Sequence, residues 1–293
     1  KQSQIISYKM KSINKITDRK ALVHNRKRAS NSTDNHSKIH KIAITEIKDR
    51  LSEINREFRN IAIVTGHPKI WSKAFPNAFM IDDTDTLFFK DKKYDLIIHA
   101  LCMHWSNDPV GQLIQCKKML IADGLFIATL FGGKTLHELN YSISLSESRI
   151  SGGVSPRFLP MGEIRDLGNL LQRVGFGLPV ADNLIHQIYH KDVYSLMRDI
   201  REMGEANALS SRKKTFTRSQ ILEETAKVYH ENFNQSDDEI IATFELIFLT
   251  GWYPSDNQQK PLQPGSGKIN LGDFLDDLSK QTTNSDNKLE ENQ

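Results

Sequence analysis

"YDLIIHALCMHWSNDPVGQLIQCKKMLIADGLFIATLF", residues 94–131, is the stretch that decides the fold. Leu96, Ile97 and Ile98 form an unbroken apolar run, as in a strand covered on both faces. Asp108 then stands where a helix N-cap would, with Pro109 at the first helical position. "DPVGQLIQCKKML" is therefore expected to be a helix. "ADG" ends it, and "LFIATLF" is a further apolar strand. A strand, a helix and a strand joined by short links predict a parallel sheet with crossover helices.

Upstream, "RNIAIVTGHPKIW" (59–71) runs four apolar residues into Gly66. A dinucleotide turn uses three glycines and this one has one, followed by His67 and Pro68. "FMIDDTD" places Asp82, Asp83 and Asp85 after a short apolar run. Carboxylates at a strand's carboxyl end accept ribose hydroxyls or an adenine amino group, and a solvated turn has the same composition. "HALCMHWSNDP" gathers His99, His104, Trp105, Asn107 and Asp108 where open α/β sheets bind ligands. An indole face suits a sulfonium or adenine, and a histidine moves protons near neutral pH. The alternative is half-buried packing, with Asp108 only a cap. Both stand at this point.

Outside these segments, "IHKIAITEIKDRLSEINREF" spaces Ile42, Ile47, Leu51, Ile54 and Phe58 as an amphipathic helix. "GKTLHELNYSISLSESR", "MGEIRDLGNLLQRVGF", "DVYSLMRDIREMG" and "RSQILEETAKVYHENF" read as further helices. "LPVAD" and "IHQIYH" read as late strands, and "IIATFELIFLTGW", rich in β-branched and aromatic residues, closes the sheet. The expected layout is a basic N-terminal segment and helix over 1–58 and a core over 59–191. A helical cap follows over 192–235, lying over the sheet's carboxyl edge, then the final core strand over 236–254 and a partly disordered polar tail over 255–293.

The 293 residues are 38% hydrophobic, enough for one large core or one core with an appendage. A net charge of +3 is too small to argue for nucleic acid. The cluster Arg26, Lys27, Arg28 would suit phosphates, and a solvated helix face is the preferred reading. Two cysteines, Cys102 and Cys116, make no disulfide framework and are read as packing residues. No apolar run reaches the roughly 20 residues of a membrane span. "HELNY" has Tyr141 where a zinc helix needs a second histidine, and "PGSGK" follows no strand, so neither a metal nor a Walker loop is expected.

"HWSND", "ADGLFIATLFGGKTLHEL", "GGVSPRFLP", "IRDLGNLLQRVGFGLPVAD", "YSLMRDIREMGEANALSSR" and "LTGWYPSDNQQKPLQPGSGK" together carry a resemblance. "DRKALVHNRKRA" also fits. The chain resembles the class I S-adenosylmethionine-dependent methyltransferases. More narrowly, it resembles the complex I assembly factors that act as protein arginine hydroxylases, with their alphaproteobacterial relatives. The malonyl-carrier-protein methyltransferase of biotin synthesis is a distant cousin.

The resemblance implies an α/β fold: a Rossmann-like methyltransferase sheet with a helical cap, shortened around its second strand. It implies adenosylmethionine at Gly66, at Asp82 and Asp83, and at the loop of Ala100 and Leu101. His104 and Trp105 would line the reacting centre. The loops at Gly132–Gly133 and Gly152–Arg157 would shape a substrate channel, with Glu138, Arg149 and Arg157 as its contacts. The partner would be a protein substrate such as a complex I subunit, in a bacterial cytoplasm or the mitochondrial matrix. The sequence departs from the family at the first turn. Val64 stands where the family has an acidic residue, only Gly66 of the glycines remains, and "KIWSKAFPNA" replaces the second strand and the carboxylate that holds the ribose. A non-catalytic assembly or binding protein on the same fold is the alternative.

Overall fold

The computed structural model describes residues 15–30, 38–236, 239–256 and 258. Contacts divide the chain into residues 1–255 and 256–293. The expected disordered tail and the first 14 residues lie almost wholly outside the described residues.

Three parallel strands form the centre of the sheet, as the apolar runs predict. They are β1 (Ile61–Thr65), β3 (Tyr94–Ala100) and β4 (Leu120–Phe131). Ile63 pairs with Ile98, and Ile98 with Ile127. The short β2 (Phe79–Ile81) lies parallel on the far side of β1. On the other flank the long β7 (Glu239–Trp252) runs antiparallel between β4 and β5 (Gly177–His190). The order is β2-β1-β3-β4-β7-β5, with the short β6 (Asn234–Ser236) on β7. This is the expected Rossmann-like methyltransferase sheet, shortened beside β1.

The shortening has a local cause. Pro68 opens a seven-residue helix, α3 (Pro68–Ala74), directly after Gly66. Trp71 of α3 is wholly buried. The chain then reaches β2 within a few residues, which leaves no length for another strand.

Alternate residues of the central strands feed two cores, as a two-residue side-chain period requires. Ile63, Leu96, Ile98 and Ile127 face the core under α2 (Lys38–Ser52), α7 (Val193–Glu202) and α8 (Ser219–Phe233). Ala62, Val64, Ile97 and Phe126 face the core under α4 (Pro109–Met119) and α6 (Ile164–Val174). Cys102 and Cys116 belong to this second core as free, buried thiols. The helix α5 (His137–Ser151) packs along α8.

Two expectations change. "LPVAD" and "IHQIYH" are one strand, because Asn183 and Leu184 between them stay paired with Ile247 and Leu246. Helix α2 stops at Ser52, so Ile54 and Phe58 pack on the core from the following loop, and the fully buried face is Ile39, Ala43 and Ile47.

The cap of α4 is as read. Asp108 Oδ1 accepts from the Gly111 N–H at 2.8 Å. Asp108→Ala should lower stability by about 1 kcal/mol. Denaturant unfolding checks this, and an unchanged midpoint would show the cap to be idle.

Candidate functional site

In open α/β sheets the ligand crevice lies at the strands' carboxyl ends, where the strand order reverses. Here that point is β1, with β2 on one side and β3 on the other. Three segments meet there. One is the Gly66 turn. The second is the 101–108 loop. The third comes from α1 (Arg19–Ala29), the N-terminal helix, and the 203–212 segment that clamps it. The clamp includes Asn25 Nδ2 donating to the Ala206 carbonyl at 2.9 Å and the Asp18 N–H donating to the Ala208 carbonyl at 2.8 Å. Arg212 and Asp18 pair at 2.9 Å.

Arg26 is the unexpected member. Neither a solvated face nor a phosphate contact describes it, for its side chain is 7% exposed and pairs with Asp83 at 2.7 Å. Arg19 adds a second contact to Asp83 at 3.0 Å. Lys27 and Arg28 are exposed. Burial would raise the Asp83 carboxyl, but the Arg26 and Arg19 charges hold it below its ordinary range. His67 lies beside this pair. Burial and the Arg26 charge push it down to about 4, so it stays neutral. His40 of α2, 4.6 Å from His67 between ring centres, accepts from Trp71 Nε1 at 3.2 Å.

Asp83 is set in place from β3 and α4. His99 Nε2 lies 3.1 Å from Gln112 Oε1, and Gln112 Nε2 donates to the Thr84 carbonyl at 2.8 Å. His99 is therefore a buried strut. Asp82, one residue earlier, is exposed and does not enter the cluster. Ala100 and Leu101 are buried with the core. Leu101 has φ +47°, a conformation unfavourable for leucine that turns the chain sharply into the 101–108 loop.

A second cluster adjoins the first. Glu205 Oε2 accepts from Trp105 Nε1 at 2.6 Å and lies 3.1 Å from His104 Nε2. Burial would raise this carboxyl, but the His104 and Trp105 contacts and the Arg26 charge hold it at about 2. Trp105 and Glu205 line a cavity of about 420 Å³. Its remaining wall is mostly apolar, including Phe131, Leu139, Met197 and Phe244, with Arg157 and Arg201 also on it. Arg157 Nη2 is held by Glu147 at 2.6 Å and Thr217 at 3.1 Å.

The other proposed substrate contacts lie elsewhere. Glu138 is 2% exposed, and its carboxylate accepts from the Thr243 N–H and hydroxyl, tying α5 to β7. Arg149 pairs with Glu224 at 2.8 Å, bracing α5 against α8. Neither lines the cavity. The Gly132–Gly133 loop wraps the Glu245 carboxylate, which accepts from the Lys134 N–H at 2.8 Å. Glu205 is not singled out by the sequence, and Arg26 reads there as one of three solvated cations. The signal available for Glu205 was Gly204 beside it, at φ +80° and packed on His67 and Arg26.

Adenosylmethionine does not fit the first turn. A Cβ built on Gly66 would lie 2.2 Å from Arg26 Cζ. The guanidinium thus occupies the space over this backbone, and it also takes the Asp83 carboxylate.

No family model matches the chain. Against known sequences, it is 36% identical over 199 residues to the mitochondrial arginine-hydroxylase NDUFAF5 of Danio rerio, covering 68% of this chain and 62% of that protein. The NDUFAF5 of Dictyostelium discoideum is 39% identical over 185 residues, 63% of this chain and 42% of that one. The chain thus spans less than two thirds of these relatives' length. A malonyl-[acyl-carrier protein] O-methyltransferase of Xylella fastidiosa (strain M23) is 28% identical over 180 residues, 61% of this chain and 59% of that one. Among solved structures, the YcgJ protein of Bacillus subtilis is 12% identical, covers 73% of this chain and 99% of its own, and has a TM-score of 0.42. The chain is similar in sequence to the NDUFAF5 arginine-hydroxylases and, more distantly, to a bacterial methyltransferase, and its strands follow a Rossmann-like order.

Proposed function

We propose that this chain recognises an arginine side chain of a protein substrate in the cavity beside Trp105, in the service of the hydroxylation after which its relatives are named. The observation that carries this is Glu205, an ionised carboxylate in the wall of a largely apolar cavity. Its Oε2 takes both Trp105 and His104, and among the described residues no donor reaches its Oε1. A guanidinium is the planar cation that matches a carboxylate, and its three methylenes pack well on apolar walls. Leu139, Met197 and Ile200 supply such walls. Arg157, already oriented by Glu147, would donate to carbonyls of the substrate backbone. The segment after α7 would cover the substrate and exclude water. Trp105 would then be a wall and His104 a positioning residue that orients Glu205. A subunit of respiratory complex I would be its partner, met in the bacterial cytoplasm or the mitochondrial matrix.

The test uses the wild-type protein and three peptides differing at one residue. Calorimetry should detect the arginine peptide. The citrulline peptide, equal in shape and uncharged, should bind at least about tenfold more weakly, a difference of about 1.4 kcal/mol. A lysine peptide should also be weaker, since a point charge lacks the fork. Equal affinity for arginine and citrulline would remove Glu205 from recognition.

A further inference from the structure

We propose that helix α1 is a built-in occupant of the cofactor seat, and that the Arg26 side chain keeps adenosylmethionine out. The site lies at the switch point of the sheet, where the fold places a ligand. Two surfaces there would receive the cofactor: the bare backbone of Gly66 and the carboxylate of Asp83. Arg26 holds both. Its guanidinium lies so close to Gly66 that even a methyl group there would collide with it, at 2.2 Å from Cζ. Its Nη1 donates to Asp83 Oδ2 at 2.7 Å. The seat is closed from above as well, since a Cβ on Gly204 would lie 3.1 Å from His67 and 3.2 Å from Arg26.

The helix is anchored as a part of the fold. Leu22 is fully buried against Trp105 and Ala208. The Thr17 N–H donates to Asn107 Oδ1 at 2.9 Å, and Ser210 N–H to the Ile16 carbonyl at 2.8 Å. Displacing Arg26 would therefore expose a buried charge and strip Asp83 of its nearest partner, an unfavourable exchange for any ligand. The Arg26 Nε and Nη2 and the His67 Nε2 have no hydrogen-bond partner among the described residues. The seat is built around a resident cation whose polar atoms are not all satisfied, which is consistent with a side chain standing in a space shaped for a larger ligand.

The experiment is calorimetric titration of S-adenosylmethionine and S-adenosylhomocysteine into the full chain and into Arg26→Ala and Arg26→Gln. The wild type should show no saturable binding up to about 1 mM, and a folded variant should bind at least about tenfold better. Micromolar binding by the wild type overturns the proposal, as does a folded variant that binds no better than it. Gly66→Ala tests the same contact from the other side. Its methyl group should unseat α1, so amide exchange over residues 19–29 should accelerate while β3 and β4 stay protected. Unchanged exchange in that helix would show that Arg26 does not sit on Gly66, and the proposal falls whether or not the arginine variants fold.

Discussion

Asp83→Ala is expected to lower stability by about 3–5 kcal/mol, because it strands a buried arginine. The Arg26 and Asp83 side chains are 7% and 6% exposed, so water replaces little of the lost interaction. Arg19, at 22%, is better hydrated and loses less. The total stability of a domain is about 5–15 kcal/mol, so this single change removes a large fraction of it. Removing both charges is a different experiment. Asp83→Leu with Arg26→Met should be far milder than Asp83→Ala, since an apolar pair of similar bulk avoids the desolvation of both ions. Chemical denaturation of the single and the double variant decides it. A loss under about 1 kcal/mol in Asp83→Ala would mean that the pair is solvated.

The same cluster gives stability a defined pH dependence. Asp83 has a depressed carboxyl, so its contribution is complete above its ordinary value of 3.8 and is lost as pH falls through the lower folded value. The buried histidines act earlier. Burial lowers His67 and His99 from 6.5 to about 4, and lowers His40 well below 6.5. Between 6.5 and 4 the unfolded chain binds protons that the folded chain refuses, so stability falls with pH by up to about 1.4 kcal/mol per unit for each histidine. Acid destabilisation should therefore begin near pH 6.5, well before the carboxylates contribute. A stability flat between pH 7 and 5 would contradict the burial of these rings.

The three central strands were legible because each is a continuous run of apolar side chains, as at Leu96–Ile98, and both faces of the sheet are covered. The α4 cap was legible because Asp108 and Pro109 act within one turn. The site was less so. In a sequence, Arg26 beside Lys27 and Arg28 is one of three similar cations. Only folding separates them, placing Arg26 toward Asp83 and leaving the others in solvent. Glu205 is equally plain in sequence and acquires its meaning from Trp105 and His104, which lie far upstream in the chain. Conversely, the loss of glycines at "TGHPKI" marked this turn as a departure from a dinucleotide turn. It could not disclose what fills the space, because the filling side chain comes from another helix.

Trp105→Ala should be the other severe change, by about 3–5 kcal/mol. Sequence alone left Trp105 open between a ligand-site wall and half-buried packing. The structure shows a side chain that is both wall and core, since Trp105 lines the cavity yet is 4% exposed and packs on Leu22 and Ala208. Its removal opens a void under α1 and also deprives Glu205 of its 2.6 Å donor. Trp105→Phe separates the two roles. Phenylalanine keeps most of the apolar contact and lacks the N–H, so its cost should reduce to that of one hydrogen bond to a charged group, about 1.5–3 kcal/mol. The Phe variant should also bind the arginine peptide differently from wild type, because a Glu205 released from the indole can turn toward the ligand, whereas the Ala variant loses the wall that the ligand packs on. Thermal unfolding of both variants, with peptide titration of whichever folds, measures this. If Trp105→Ala melts within a few degrees of wild type, the packing of Trp105 on Leu22 is weak and α1 is held in place by its polar ties alone.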